Sequence, residues 1–234
     1  MAKYAGITLA YNDEGTIAGT IKCLAPFVEK HIVLISEKPY FGTVSPPDRT
    51  EEICLDLGCE VIKGTWALDH LQRTLGNQMC SDCDWVFTFD SDEMMEARQI
   101  ERLIRFTEKC PTPAIGVTPE IYWHDIDHVL TPKPEYQPII MMKPWVKVVY
   151  IRNINTPYLH SSVDMHHLSW AAPKDIYKKV TNYAHANDFD GSSWYDANYA
   201  NWKPTDKVAN LPTGSFGVIE KPLPQELREY LKHD

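Results

Sequence analysis

Four short apolar runs, at residues 5–11, 31–36, 60–63 and 84–89, alternate with helix-patterned segments over the first ninety residues of this 234-residue chain. That order leaves few folds open. A strand, a helix and a further strand in close succession return the chain in one direction, so the pattern predicts βαβ units and an α/β fold with a mostly parallel sheet flanked by helices. Asn12-Asp13-Glu14-Gly15 is predicted to open the first helix with acids in its first turn, and Ile17, Ile21, Leu24 and Ala25 keep its period as far as Pro26. Residues 49–57 read as a second helix stopped by Gly58, and residues 67–80 as a third. A fourth, at 96–109, carries Ile100, Leu103, Ile104 and Phe106 on one side.

Residues 114–123 read as a fifth strand, after which the texture changes. Pro132, Pro134, Pro138 and Pro144 punctuate apolar runs at 139–142 and 146–151, which predict antiparallel ribbons rather than more βαβ units. A last helix is expected at 174–185, and the tail beyond Asp188, rich in Trp, Tyr, Asn and Pro, is expected to wrap the domain. No repeat or composition break divides the chain, so residues 1–234 are read as one domain.

A formal net charge of −9 argues against tight non-specific nucleic-acid binding, which relies on Lys and Arg at phosphates. No apolar run approaches the roughly 20 residues that span a bilayer, so no transmembrane segment is expected. The start of the chain runs directly into a strand without a signal-peptide core, which makes the cytoplasm the expected location. The six cysteines are then expected as reduced thiols, and Cys80-Ser81-Asp82-Cys83 is a lone CxxC lacking the second pair of a zinc site.

Chemistry is concentrated where the fourth apolar run ends. Trp85 to Phe89 reads as a buried strand, and it empties into Asp90, Asp92 and Glu93. Burial drives the run inward, while the acids have to be solvated, paired or metal-bound. Ligands of a parallel sheet gather outside the carboxyl ends of its strands, so a cation or ligand site is one reading of this turn. The other is a plain strand-to-helix turn, with Ser91 or Asp92 capping a helix that starts near Met94, and Glu93 serving either as a site residue or as a cap. The other strand ends, Tyr11-Asn12-Asp13-Glu14, Ser36-Glu37-Lys38 and Gly64-Thr65, add further polar and acidic groups.

Taken together, the strand ending in Tyr11-Asn12-Asp13-Glu14, the second ending in Ser36-Glu37 and the DxD at Asp90-Ser91-Asp92 resemble the nucleotide-sugar-binding half of a GT-A fold glycosyltransferase, closest to family 2. The resemblance implies a metal-dependent transfer of sugar from a nucleotide-sugar donor, UDP-linked by preference, to a hydroxyl acceptor: a glycan, a lipid-linked sugar, a protein, a small molecule or a modified nucleobase. It implies that residues 1–110 hold the donor and residues 111–234 the acceptor. Ala10, Tyr11, Asn12 and Glu14 at the first strand end, and Glu37 at the second, are the implied contacts to base and ribose; the chain has Ser36-Glu37-Lys38-Pro39 where the family usually shows Asp-Asp-Gly-Ser. Trp66, Asp69, Arg73 and Gln78 fall where the family places a helix beside the donor sugar or phosphates, with Asp69 and Arg73 one turn apart. Asp90 and Ser91 are implied at the ribose or in the metal shell and Asp92 at the metal itself. Mg²⁺ and Mn²⁺ both suit oxygen ligands, and Mn²⁺ also tolerates imidazole.

In the second half, Asp164-Met165-His166-His167-Leu168-Ser169-Trp170 resembles the stretch from which such enzymes recruit a metal histidine, with His167 preferred, His166 its alternate and His185 a further candidate. An inverting transfer needs a carboxylate base near the acceptor hydroxyl. Glu120, Asp125, Asp127, Glu135 and Asp164 are the candidates, with Asp164 and Glu120 preferred. Trp123 and Trp194 are candidates for stacking on an acceptor sugar, the other tryptophans for core packing. Two alternatives belong to other classes: a nucleotidyltransferase, which normally shows a Gly-rich basic loop after the first strand where this chain has Asn12-Asp13-Glu14-Gly15, and a non-catalytic nucleotide-sugar-binding module.

Overall fold

The computed structural model describes residues 2–182 and 189–232 of the chain, so His185 lies outside the described residues. The apolar runs form four parallel strands, β1 (Tyr4–Ala10), β2 (Lys30–Ser36), β3 (Glu60–Gly64) and β4 (Trp85–Asp90). β1 pairs with both β2 and β4, and β2 with β3, all parallel. Strands covered on both faces carry apolar residues at successive positions rather than alternate ones. In β2, Val33 and Ile35 pack on one face against α1 (Ile17–Leu24) and α2 (Thr50–Asp56). Ile32 and Leu34 pack on the other face with Cys80 and Val86, on the side of α3 (Asp69–Met79). α3 approaches closely because of Gly76: a Cβ there would stand 2.7 Å from Leu34 Cδ1.

The expected helix-flanked α/β architecture is the one the chain adopts. The acids after β1, however, do not enter the first turn of α1. Asn12 takes a left-handed conformation (φ 52°), and the helix starts only at Ile17. Asp13 instead folds back, its carboxylate accepting from the Tyr11 amide and its carbonyl from the amides of Thr16 and Ile17. At the acidic turn neither Ser91 nor Asp92 caps a helix. Glu93 and Met94 form a two-residue strand, β5, and α4 (Ala97–Thr107) begins after Glu96.

Beyond α4 the sheet becomes mixed. β6 (Ala114–His124) is followed by β7 (His128–Thr131) and β8 (Ile139–Met142); β8 lies antiparallel between β4 and β6. Of the runs expected to form ribbons, 139–142 thus joins the main sheet, and 148–150 forms a small antiparallel ribbon as β9 (Val148–Tyr150) with β10 (Asn153–Ile154). The strand that positions the site, β11 (Leu159–Ala171), is not apparent from the sequence pattern. It runs parallel to β6 and antiparallel to β5, which sets His167 opposite Glu93. α5 (Ile176–Asn182) and the single turn α6 (Gly191–Trp194) follow. The antiparallel pair β12 (Val208–Leu211) and β13 (Gly214–Glu220) then extends the sheet through β7, and α7 (Gln225–Leu231) packs on α1. Among the described residues no helix is long and apolar enough to cross a membrane.

The aromatic tail builds a core of its own rather than a wrap. Trp123 is completely buried, with the rings of Trp170, Trp194, Tyr199 and Trp202 centred 5.2–6.4 Å away. The indole N–H groups of Trp194 and Trp202 donate to the carbonyls of Asn210 and Val208. This corrects the expectation of acceptor stacking at Trp123, which is committed to packing, while Trp194 packs against the same cluster and is only partly buried. Replacing Trp123 by Ala is expected to cost about 3–5 kcal/mol in urea unfolding. The same change at Trp145, 64% exposed, should stay within about 0.5 kcal/mol.

Candidate functional site

Reading the parallel strands across the sheet gives the order β4-β1-β2-β3, so chain order reverses direction between β1 and β4. Their carboxyl ends diverge there and leave a crevice. Ser91 continues the β4 ladder by donating to the Leu9 carbonyl, and its hydroxyl donates to Asp13 at 2.6 Å. The turn after β1 and the acids after β4 are thereby fixed to one another, and they open on a cavity of about 600 Å³, within the size range of small-molecule sites.

One wall of that cavity is Leu9 to Asp13 with Ser36 and Lys38 to Tyr40; its floor is Asp69, Arg73 and Asp90 to Glu93. The opposite wall comes entirely from the second half of the chain: Tyr136, Pro138, Ile151, Arg152, His167, Ser169, Lys174, Asp175, Lys178 and Lys179.

The floor is a chain of alternating charges. Asp69 lies 3.6 Å from Arg73 Nε, and Arg73 also pairs with Asp90. The other Asp90 oxygen lies 2.9 Å from Arg152, which in turn pairs with Glu93. Both guanidinium groups are nearly inaccessible to solvent, so these pairs are far less screened than surface ones. Burial pushes the Asp90 carboxyl up, but Arg152 and Arg73 more than offset it and hold it well below the usual carboxylate range. Glu93 moves the other way: burial raises it, and Arg152 recovers only part of the shift.

A second chain runs beside the first. Lys174 Nζ lies 2.6 Å from Asp92 Oδ2 and 3.3 Å from Asp13 Oδ1. Asp92 Oδ1 faces His167 Nε2 at 3.3 Å. Burial opposes ionisation of Asp92 too, yet Lys174 and His167 hold it well below its ordinary value. The β5–β11 register explains why the imidazole arrives here: His167 stands opposite Glu93, and the Leu168 amide donates to the Asp92 carbonyl. On the same wall Lys179 donates to the carbonyl and hydroxyl of Ser169, and burial lowers its ammonium to about 8.

Among the described residues no three His, Cys, Asp or Glu side chains converge as a complete metal centre. Asp92 Oδ1 and His167 Nε2 nevertheless stand 3.3 Å apart as two neighbouring donors, and His167 Nδ1 is buried without a hydrogen-bond partner. By formal count, the first charge chain sets three carboxylates against two guanidinium groups and the second sets two carboxylates against one ammonium. Those two chains leave two negative charges, which the other charged residues of the lining, Lys38, Lys178 and Lys179 against Asp175, offset. Mg²⁺ is commonly held by one or two carboxylates plus substrate phosphates, and an imidazole suits Mn²⁺, so the donor set fits an ion that arrives with a diphosphate.

Of the residues picked out from the sequence, Ala10, Tyr11, Asn12, Asp69, Arg73, Asp90, Ser91, Asp92 and His167 line the cavity. Glu14 does not: its carboxylate accepts from the Arg49 amide in a shallow depression formed with Pro47 and Asp48. Glu37 is exposed, and its neighbours Ser36 and Lys38 line the cavity in its place. Trp66 packs over Gly64 and the α3-side core.

Glu120 and Asp164 stand elsewhere. Glu120 lies mid-strand in β6, buried between Lys221 at 2.6 Å, Lys133 at 3.5 Å and His166 at 3.6 Å; Asp164 pairs with the same Lys133 at 2.8 Å. His166 faces this second cluster and also accepts or donates at the Tyr122 hydroxyl, so it is no alternate for His167. The residues missed from the sequence are Asp13, read there as a helix opener, and the cations Arg152 and Lys174. The one available signal was an unexplained Arg or Lys beside an apolar run in an otherwise acidic chain.

Known protein-family profiles give no match to the chain, and curated proteins give none either. Solved structures do resemble it. Glucosyl-3-phosphoglycerate synthase from Mycobacterium tuberculosis, in complex with Mn²⁺, UDP and glucosyl-3-phosphoglycerate, matches at 17% identity and a TM-score of 0.42, over 50% of this chain and 44% of that one. S. aureus TarS 1-349 matches at 11% identity and a TM-score of 0.49, over 87% of this chain and 76% of that one. The same protein with UDP-GlcNAc matches at 16% and 0.41, over 51% and 35%. The chain thus spans less than half the length of the first of these.

Two expectations follow from the charge chains. Replacing Arg73 by Met strands Asp69 and leaves Asp90 with Arg152 alone, and should cost about 3–5 kcal/mol; adding Asp90→Asn should recover part of that loss in a double-mutant cycle. The folded-state values of Asp90 and Asp92 lie below the ordinary 3.8. Their contribution is therefore present above that value and is lost as pH falls toward the folded ones. The melting temperature should drop on acidification below about pH 4, and Asp92→Asn should make that drop shallower.

Proposed function

We propose that the chain is a metal-dependent glycosyltransferase that takes a sugar from a nucleotide-sugar donor, UDP-linked by preference, and passes it to a hydroxyl acceptor. The observation that carries this reading is the meeting of Asp92, His167 and the Asp13 turn at the switch between β1 and β4, inside a cavity whose lining sets carboxylates against an equal number of cations. Such a crevice suits a diphosphate that arrives with a divalent cation.

In this reading the wall from Leu9 to Asp13, with Ser36 and Lys38 to Tyr40, receives the nucleoside. Asp92 and His167 would hold Mg²⁺ or Mn²⁺, which supplies charge neutralisation of the leaving nucleoside diphosphate when bound. Asp90, clamped between Arg73 and Arg152, keeps a fixed orientation on the sugar side of the turn and contacts ribose or a water of the metal shell. Lys174 and Lys179 present ammonium groups to the phosphates from the opposite wall. Residues 1–110 therefore supply most of the donor site but not all of it, because His167 and both lysines come from the half expected to bind the acceptor. Neither Glu120 nor Asp164 reaches the cavity, and neither is assigned the general base.

The reading is tested by a thermal-shift screen of nucleotide sugars with and without Mn²⁺. A ligand at a hundred times its dissociation constant adds about 2.7 kcal/mol, a shift of several degrees in a chain of this length. A Mn²⁺-dependent shift with at least one UDP-sugar, abolished by Asp92→Ala, is the expected result. The absence of any such shift across the panel would refute the proposal.

A further inference from the structure

Lys174 sits where none of the sequence motifs calls for a cation. Its ammonium bridges Asp92 after β4 and Asp13 after β1, at 2.6 and 3.3 Å, and so spans the switch point itself. The carboxylate it holds is the one whose other oxygen faces His167. The ammonium therefore neutralises, through Oδ2, the same carboxylate whose charge a divalent ion would need. The two acids also differ in what remains to them if Lys174 leaves. Asp13 keeps the Tyr11 amide at 2.9 Å and the Ser91 hydroxyl at 2.6 Å. Among the described residues Asp92 keeps the His167 imidazole and the less direct charge of Lys179. Release of Lys174 thus creates one carboxylate short of a cation, and one ammonium on a flexible four-carbon stem within the same cavity.

Resting on the donor-binding reading above, we propose that Lys174 is a resident counter-cation of the diphosphate site. With the site empty it ties Asp13 to Asp92; when a nucleoside diphosphate enters, its ammonium passes to a phosphate oxygen and leaves Asp92 to the divalent ion. No covalent bond changes; one ion pair is exchanged for another. Three properties follow. The diphosphate binds without metal, though more weakly than with it. The metal alone binds poorly, because Lys174 competes for the same carboxylate. Each ligand improves the affinity of the other by the same factor, since each removes an obstacle to its partner.

The test compares wild type with Lys174→Met in two binding measurements: calorimetric titration of UDP in the presence of EDTA, and Mn²⁺ titration without nucleotide followed by electron paramagnetic resonance. Loss of one charged hydrogen bond corresponds to about a tenfold change or more. The Met variant is expected to bind UDP in EDTA about tenfold more weakly or worse, and Mn²⁺ alone about tenfold more tightly or better. Changes of opposite sign cannot come from a lysine that only supports the fold, which would weaken both. If both affinities fall together, or neither moves, the proposal is wrong.

Wild type alone gives a reading that needs no variant to fold: UDP binding that requires Mn²⁺ absolutely overturns the role of Lys174 while leaving the glycosyltransferase reading standing. UDP binding in neither condition removes both. Lys174→Arg, which keeps the positive charge, is expected to retain metal-free UDP binding, and its loss there would also count against the proposal.

Discussion

Carboxylates drawn out of water cannot be left alone, and this chain holds five, two buried and three half-buried, at the carboxyl ends of two neighbouring strands and the helix beside them. Asp13, Asp69, Asp90, Asp92 and Glu93 are answered by Arg73, Arg152 and Lys174. Removing one partner of a buried pair leaves a charge in a poor solvent, which costs more than the pair itself contributes. The need to bring these three cations to the acids therefore constrains the route of the second half. The β9–β10 ribbon delivers Arg152, and the segment between β11 and α5 delivers Lys174. The crevice exists because β1 has parallel neighbours on both sides; its chemistry exists because distant segments are drawn back over it.

The first hundred residues were legible for a physical reason. In a parallel sheet covered on both faces, the signal for a strand is a continuous apolar run, and that signal is local. The runs at 5–11, 31–36 and 84–89 each became a strand within a residue or so, and Gly58, at φ 76°, ended α2 as its position implied. Local signals failed where a tertiary partner decided the outcome. Asn12 in the left-handed region turns Asp13 back toward Ser91, and a helix-opening motif becomes part of a site. Glu120 was a preferred candidate for the base, yet in β6 it stands mid-ladder between two lysines.

The strand β11 was hidden for a different reason. Its burial alternates only in part and its ladder with β6 is interrupted by two irregularities, so no clean period of two survives in the sequence. The partners of the acids were equally invisible. Arg152 is 59 residues from Glu93, and Lys174 is 82 from Asp92. Nothing in a run such as Val148-Val149-Tyr150-Ile151-Arg152 announces which carboxylate its guanidinium will meet. The aromatic tail shows the same limit. Its composition indicated burial, but only the packing shows that Trp123 is its centre and that a second core stands behind the site.

His166 and His167 are neighbours in the chain but belong to different charge neighbourhoods. Successive residues of a strand face opposite ways, so His167 meets Asp92 while His166 lies between Glu96 and Glu120, with burial lowering its imidazole. β11 is thus a partition with an imidazole on each side, one turned to the cavity and one to a second ionic cluster. A slide of one residue along its axis would exchange the two histidines and face every other side chain the wrong way. The second cluster, with Lys133 and Lys221 closing on the buried Glu120, works as a latch on that slide. Its charges lie away from the cavity, yet it fixes where the cavity-facing imidazole stands.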